Sequence, residues 1–166
     1  AILGLPLMAS ADFTLKPSLL WYQNKSSVNG TATTHTTQLM DFALLYSSQG
    51  SWHFGATYGS QVKKDESGGS ATSITRTYLG PTVGWIPQGD KEPFVVASYY
   101  YSCSMSQSGQ TYKGEGCYEL DFGMKFGSGS FTYGAQLAYR FFKFVSYEAN
   151  GSTVTLSPAS EYTDLY

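Results

Sequence analysis

Apolar and polar residues alternate one by one along most of this chain, in stretch after stretch, with clusters of Gly, Ser, Asn and Thr between them. Period-two alternation bounded by turn residues marks β-strands with two unlike faces. It predicts strands over residues 12–22, 37–46, 52–60, 74–86, 93–103, 116–126, 131–142 and 153–164. No long stretch follows a helical period, so the chain reads as all-β. The connectors alternate as well: 47–51, 87–92 and 127–130 are short, and 23–36, 61–73, 104–116 and 143–152 are long. That rhythm is expected of eight antiparallel strands in an up-and-down meander, closed into a barrel.

Centring each hairpin on its short turn pairs Phe126 with Phe131 and Met124 with Tyr133, Trp85 with Phe94 and Val83 with Val96, and Tyr46 with Trp52 and Leu44 with Phe54. These registers sort the strands into two faces. One carries no charge and includes Leu15, Leu19, Met40, Phe42, Ala56, Leu79, Val83, Val96, Leu120, Phe122, Ala135 and Leu137. The other carries Lys16, Asp41, His53, Arg76, Glu119, Asp121, Lys125 and Arg140 among Gly and Ala. Small residues suit the cramped lumen of a narrow barrel and large rings do not, so the apolar face is expected outside.

The rings fall at two heights. Tyr46, Trp52, Trp85, Phe94, Phe126 and Phe131 adjoin the short turns, whereas Trp21, Tyr58, Tyr100, Tyr118 and Tyr139 adjoin the long connectors. Two aromatic belts around an aliphatic band match a bilayer, where amphipathic rings settle at both headgroup layers. In this architecture, over residues 12–166, the chain resembles the small eight-stranded outer-membrane barrels of Gram-negative bacteria, the group that includes OmpX and the membrane domain of OmpA. The resemblance implies a transmembrane barrel in the bacterial outer membrane, with short turns toward the periplasm and long loops at the cell surface. It implies lipid and lipopolysaccharide as surroundings, and a structural or surface-interaction role, in adhesion or docking to a protein partner, through the loops or the lipid-facing wall. The last strand, STVTLSPASEYTDLY, departs from the pattern, with Pro158 in mid-strand and Asp164 in the outward phase.

Composition narrows the alternatives. With 166 residues the chain makes one domain, and 10 Lys plus Arg against 12 Asp plus Glu leave no basic footprint for nucleic acid. Residues 1–11, AILGLPLMASA, read as a signal-peptide remnant or as an N-terminal extension packed at one end of the fold. Inside a barrel, charges must pair. Lys16, Asp41, Arg76, Glu119, Asp121, Lys125 and Arg140 are therefore expected to form one lumen network, with Glu119 and Asp121 on Arg140, Arg76 nearby, and Lys16 beside Asp41 and Glu161. The competing reading of Glu119 and Asp121 as an acid–base pair suffers from those same bases, which hold both ionised.

Catalysis has little else to stand on. Some barrels of this size modify lipid A with a His and a Ser, but the His-x-Ser of one such enzyme is missing from THTT around His35 and WHFG around His53, and nothing in the spacing assembles His35, Asp65 and Ser67. No cofactor or metal is called for, and the chain is expected to be no enzyme, with a narrow channel and a lipid A-modifying enzyme as alternatives. Finally, the register that aligns Val96 with Met124 and Tyr100 with Leu120 sets Cys103 opposite Cys117, which predicts a disulfide.

Overall fold

A computed structural model describes residues 2–4, 9–10, 13–28, 31–47, 50–127, 132–149 and 151–166. The chain is an all-β antiparallel barrel, and no helix occurs among the described residues. Its segments are β1 (Ile2–Gly4), β2 (Ala9–Ser10), β3 (Phe13–Val28), β4 (Thr31–Ser47), β5 (Trp52–Ser67), β6 (Ser70–Trp85), β7 (Glu92–Tyr100), β8 (Ser102–Gln107), β9 (Gln110–Gly114), β10 (Cys117–Phe126), β11 (Tyr133–Ala149) and β12 (Ser152–Leu165). Counted as hydrogen-bonded segments there are twelve, where the alternation predicts eight. Two arise in the N-terminal segment. Of the other two, one arises because the expected strand 93–103 is divided at Tyr101, and the other because the expected connector 104–116 itself holds β9.

The lower ladder runs β1-β3-β4-β5-β6-β7-β10-β11 and returns to β1. β1 closes it by pairing with β3 over Ile2–Gly4 and with β11 at Gly134. Higher on β11 the same edge belongs to β12, from Tyr139 opposite Leu165 upward. Of residues 1–11, only those of β1 and β2 are described; 1, 5–8 and 11 lie outside the described residues.

The long connectors are not loops. β3 and β4 run on to Val28 and Thr31, and β5 and β6 meet across Gly68 and Gly69, with φ of 55° and 87°. β8 and β9 turn at Ser108 and Gly109, with φ of 51° and 79°. Left-handed residues at both turn positions are the hairpin turns that match strand twist, and Thr-rich arms such as TATTHTT favour extended backbone. These arms join in the order β3-β4-β5-β6-β8-β9-β11-β12, a crown of sheet continuous with the barrel. Among the described residues β12 and β3 do not pair, so the crown has two open edges there.

Registers at two short turns differ from expectation by two residues, Phe126 with Tyr133 and Tyr46 with Phe54, which preserves the faces. At the third the shift is one. Trp85 pairs with Val95, not Phe94, because Ile86 turns inward, its N–H donating to Ser51 O at 2.7 Å, and Lys91 adopts φ 58°. A one-residue slip reverses every side chain of a strand. Phe94, Val96, Ser98 and Tyr100 therefore point inside and are buried, and Val95 and Tyr99 point out.

β12 carries a further irregularity. Its ladder on β11 is interrupted between Thr155 and Ser160, where Pro158, lacking an N–H, needs no ladder partner. Beyond the interruption Asp164 stands opposite Arg140 and is buried, contrary to the outward phase expected of it.

Side-chain volume inside is tightly limited. A Cβ at Gly59 would land on the Tyr78 ring and the Asp41 carboxylate. Gly59→Val is expected to cost about 1–3 kcal/mol by overpacking, read as a lowered denaturant midpoint; an unchanged midpoint would show that the ring has room to move.

Candidate functional site

The interior is layered. Its floor is apolar, where Ala43, Leu45, Ile86, Phe94 and Val96 pack together. Above lies a polar tier: Thr57, Thr82 and Ser98 share hydroxyl hydrogen bonds of 2.7 and 2.8 Å. The roof is aromatic, built from Tyr78, Tyr100, Met105, Phe142, Phe144 and the two cysteines.

Charges occupy the middle. Arg140, from β11, is fully buried and donates to Glu119 on β10 at 2.9 Å, to Tyr78 on β6 at 2.9 Å and to Asp41 on β4. Tyr78 donates its own hydroxyl hydrogen to Asp41 at 2.5 Å, and Tyr100 donates to Glu119 at 2.6 Å. Lys16 pairs with Asp121 at 3.0 Å. A second cluster surrounds Asp164, which accepts from Arg76 at 2.6 Å, Lys63 at 2.5 Å and Gln61 at 3.2 Å, while Gln61 also bonds the Tyr166 hydroxyl. Each buried carboxylate thus meets at least one cation, as low dielectric requires.

Several expected pairings change. Lys16 takes Asp121 rather than Asp41, and Asp41 goes to Arg140. Arg76 does not join Glu119 and Asp121 but stacks over Phe142 and Tyr162 and pairs with Asp164. Glu161 lies 3.9 Å from Lys143. Lys125 is buried beside the short turns and donates to Gly89 O at 2.7 Å, a backbone partner instead of a carboxylate. Tyr78, Gln61 and Tyr166 join the interior although the charge pattern does not single them out; for Tyr78 the signal is its place in the inward phase, between Thr77 and Leu79.

Of the belt rings, Trp21, Tyr46, Trp52, Tyr58, Trp85 and Tyr118 are exposed, and Phe126 and Tyr139 are half-buried. Phe94 and Tyr100 leave the belts for the floor and roof, because of the β7 reversal; exposed Tyr99 and Tyr101 take the upper position. Phe131 lies outside the described residues. The wall they flank exposes Leu15, Met40, Phe42, Leu44, Phe54, Val83, Phe122, Met124 and Leu137.

Cys103 and Cys117 form a disulfide with Cα atoms 6.4 Å apart. The ladder that suggested it is different: Cys117 pairs with Tyr100, and Leu120 with Ala97. The breaks at Tyr101 and Glu115–Gly116 bring the sulfurs together under Gly114, where a Cβ would crowd both of them at 2.7 and 2.9 Å.

Cavities off this interior hold about 30 Å³, beside Lys16, Phe94 and Lys125, and about 10 Å³, between Lys16, Asp41 and Asp121. That is room for one or two waters. Among the described residues no group of three or more His, Cys, Asp and Glu is placed to hold a metal ion.

On the crown, His35 and Asp65, which the spacing left unassembled, stand directly opposite one another on β4 and β5. His35 Nδ1 lies 2.7 Å from Asp65 Oδ1, and His35 Nε2 lies 3.0 Å from the hydroxyl of Ser26 on β3. The serine is Ser26, not Ser67. Comparison with protein-family models, curated proteins and solved structures finds no match to this chain.

Arg140 tests the network. Arg140→Met leaves Asp41 and Glu119 buried without their shared cation and is expected to cost about 3–5 kcal/mol, whereas adding Asp41→Asn and Glu119→Gln restores much of the loss. Denaturant titration of the single and triple variants measures both; equal losses in the two would refute the pairing.

Proposed function

We propose that this chain spans a bacterial outer membrane through eight strand positions, in the manner of the small barrels it resembles. The divided pairs β7–β8 and β9–β10 each count as one strand, and β12 fills the eighth position above β1. Its work is to present the crown at the cell surface for adhesion or for docking to a partner, rather than to conduct.

The observation that carries this reading is the outer wall. Large apolar side chains are exposed all around it, from Phe13 (55%) and Phe54 (51%) to Phe122 (51%) and Leu137 (52%). Soluble monomers seldom expose contiguous apolar surface beyond a few hundred Å². From Phe13 to Trp21 and from Tyr133 to Phe141 the band covers nine residues of strand, close to the roughly 9–11 that a tilted strand needs to cross a bilayer. Just above it Lys143 and Glu161 face each other, where headgroups of lipid and lipopolysaccharide would begin. The interior of paired charges and small cavities supports a sealed barrel. The open edges of β3 and β12 offer unpaired backbone to an extended partner segment, a common mode of strand addition.

Extraction should need detergent, and the folded protein should migrate differently on a gel before and after boiling. Leu137→Arg, on the wall, is expected to destabilise the protein in bilayers by about 2–4 kcal/mol; a protein that stays in solution without detergent and tolerates this arginine would refute the membrane reading. In planar bilayers the expected trace shows no steady openings, and discrete conductance steps would replace the sealed barrel with a channel.

A further inference from the structure

Ser26, His35 and Asp65 lie on three neighbouring strands, on the face of the crown that continues the barrel interior. We propose that they form a nucleophilic acyl-transfer site that hydrolyses water-accessible acyl esters. The constellation rests only on the geometry of the crown, whereas the substrate class and the folding check draw on the membrane reading.

The order of the three groups is that of nucleophile, base and orienting acid. Ser26 Oγ is 3.0 Å from His35 Nε2, and His35 Nδ1 is 2.7 Å from Asp65 Oδ1. An ionised carboxylate only accepts hydrogen bonds, so Nδ1 carries the proton in the neutral ring and Nε2 is left free to accept the serine hydroxyl hydrogen. That is the tautomer a serine base requires.

The backbone holds this arrangement from both sides. His35 pairs with Asp65 across one ladder and with Asn24 across the other, and Ser26 pairs with Thr33 one step along, which makes it the diagonal neighbour of His35. Strand-borne groups flanked by the β-branched Thr33, Thr34, Thr36 and Thr37 have little freedom to drift. Among the described residues the far edge of β3 has no ladder partner from Trp21 to Val28, which leaves alternate backbone N–H groups free, and Asn24 shares the face of Ser26.

The reaction balances with water alone. Ser26 Oγ attacks the acyl carbonyl while His35 Nε2 takes the hydroxyl proton, giving a tetrahedral oxyanion. The ester C–O bond breaks as His35 returns that proton to the departing alcohol, leaving an acyl-Ser26. Water then attacks the acyl carbon with His35 as base, and the carboxylic acid leaves as Ser26 regains its proton.

Exposure sets the substrate class. The His35 and Asp65 side chains are 43% and 56% exposed, so the site meets its substrate in water. Ser26 stands five residues beyond Trp21, the ring at the upper belt, a strand distance of about 16 Å. Esters at the depth of the apolar wall are out of its reach, whereas short acyl esters and acyl groups displayed on soluble or headgroup-borne hydroxyls are within it.

The test uses the full chain folded in detergent micelles, with p-nitrophenyl butyrate as substrate and a fluorophosphonate as covalent label. The expected result is one adduct, mapped to Ser26 by peptide mass spectrometry and absent from Ser26→Ala. Hydrolysis should fall by roughly 100-fold or more in Ser26→Ala and His35→Gln, and Asp65→Asn should lower kcat with little change in KM. Each variant is first checked for the same gel shift on boiling as the parent. Ser26→Cys supplies a second readout, the accumulation of an acyl-thioester on residue 26. Absence of label at Ser26, or equal rates in the parent, Ser26→Ala and His35→Gln, overturns the proposal.

Discussion

A guanidinium buried at the centre of the barrel constrains most of what surrounds it. Arg140 reaches from β11 to carboxylates on β4 and β10 and to a tyrosine on β6, so one side chain ties together strands on opposite walls. Burying such a charge carries a desolvation cost of several kcal/mol, which close pairing at its two terminal nitrogens offsets, while Nε stays without a hydrogen-bond partner. That requirement explains the composition of the lumen. Tyr78 must lie across the barrel to serve both Arg140 and Asp41, and the chain has glycine at position 59 because nothing larger fits beneath the ring. A wrong register would strand one of these charges, so the network disfavours misregistered pairings.

Layering follows from the same constraint. The charged tier lies between an apolar floor and an aromatic roof, which limit water in the middle and strengthen the pairing there. On β5 the inner face continues upward without a break through Gln61 and Lys63, both bound to Asp164, to Asp65 on the crown. The interior and the crown are thus one surface, solvent-poor below and hydrated above. Polar residues that are structural in the lower half become accessible in the upper half.

How much of this was legible can be judged strand by strand. In β3, β4, β5, β6, β10 and β11 one phase is apolar and the other holds the charges, so their faces read correctly even where hairpin registers were off by two. In β7 alternation is uninformative because PFVVASYYY is apolar in both phases: Phe94, Val96 and Tyr100 would serve outside as well as Val95, Tyr99 and Tyr101. The turn at Ile86 and Lys91 decided between them, and alternation contains no information about an extra turn residue. The crown leaves no mark in the alternation for a related reason. Thr, Ser, Lys and Asp on both faces give no amphipathic signal, so strands there looked like loops until the tight turns at Gly68–Gly69 and Ser108–Gly109 closed them.

The amino-acid sequence by itself determined most of the barrel strands, the uncharged wall and the charged residues of the lumen, because alternation is a local property wherever the two phases differ in polarity, as they do not in β7 or the crown. Partners were another matter. Lys16 and Asp121 are 105 residues apart, Arg140 and Asp41 99, and Ser26 and His35 meet only because two polar arms pair as a hairpin. Those meetings depend on where the ladder closes, how many residues each turn absorbs and which charges share a height in the lumen. Only the closed tertiary structure sets these, since a pairing across a barrel is a property of the ring and of no single strand within it.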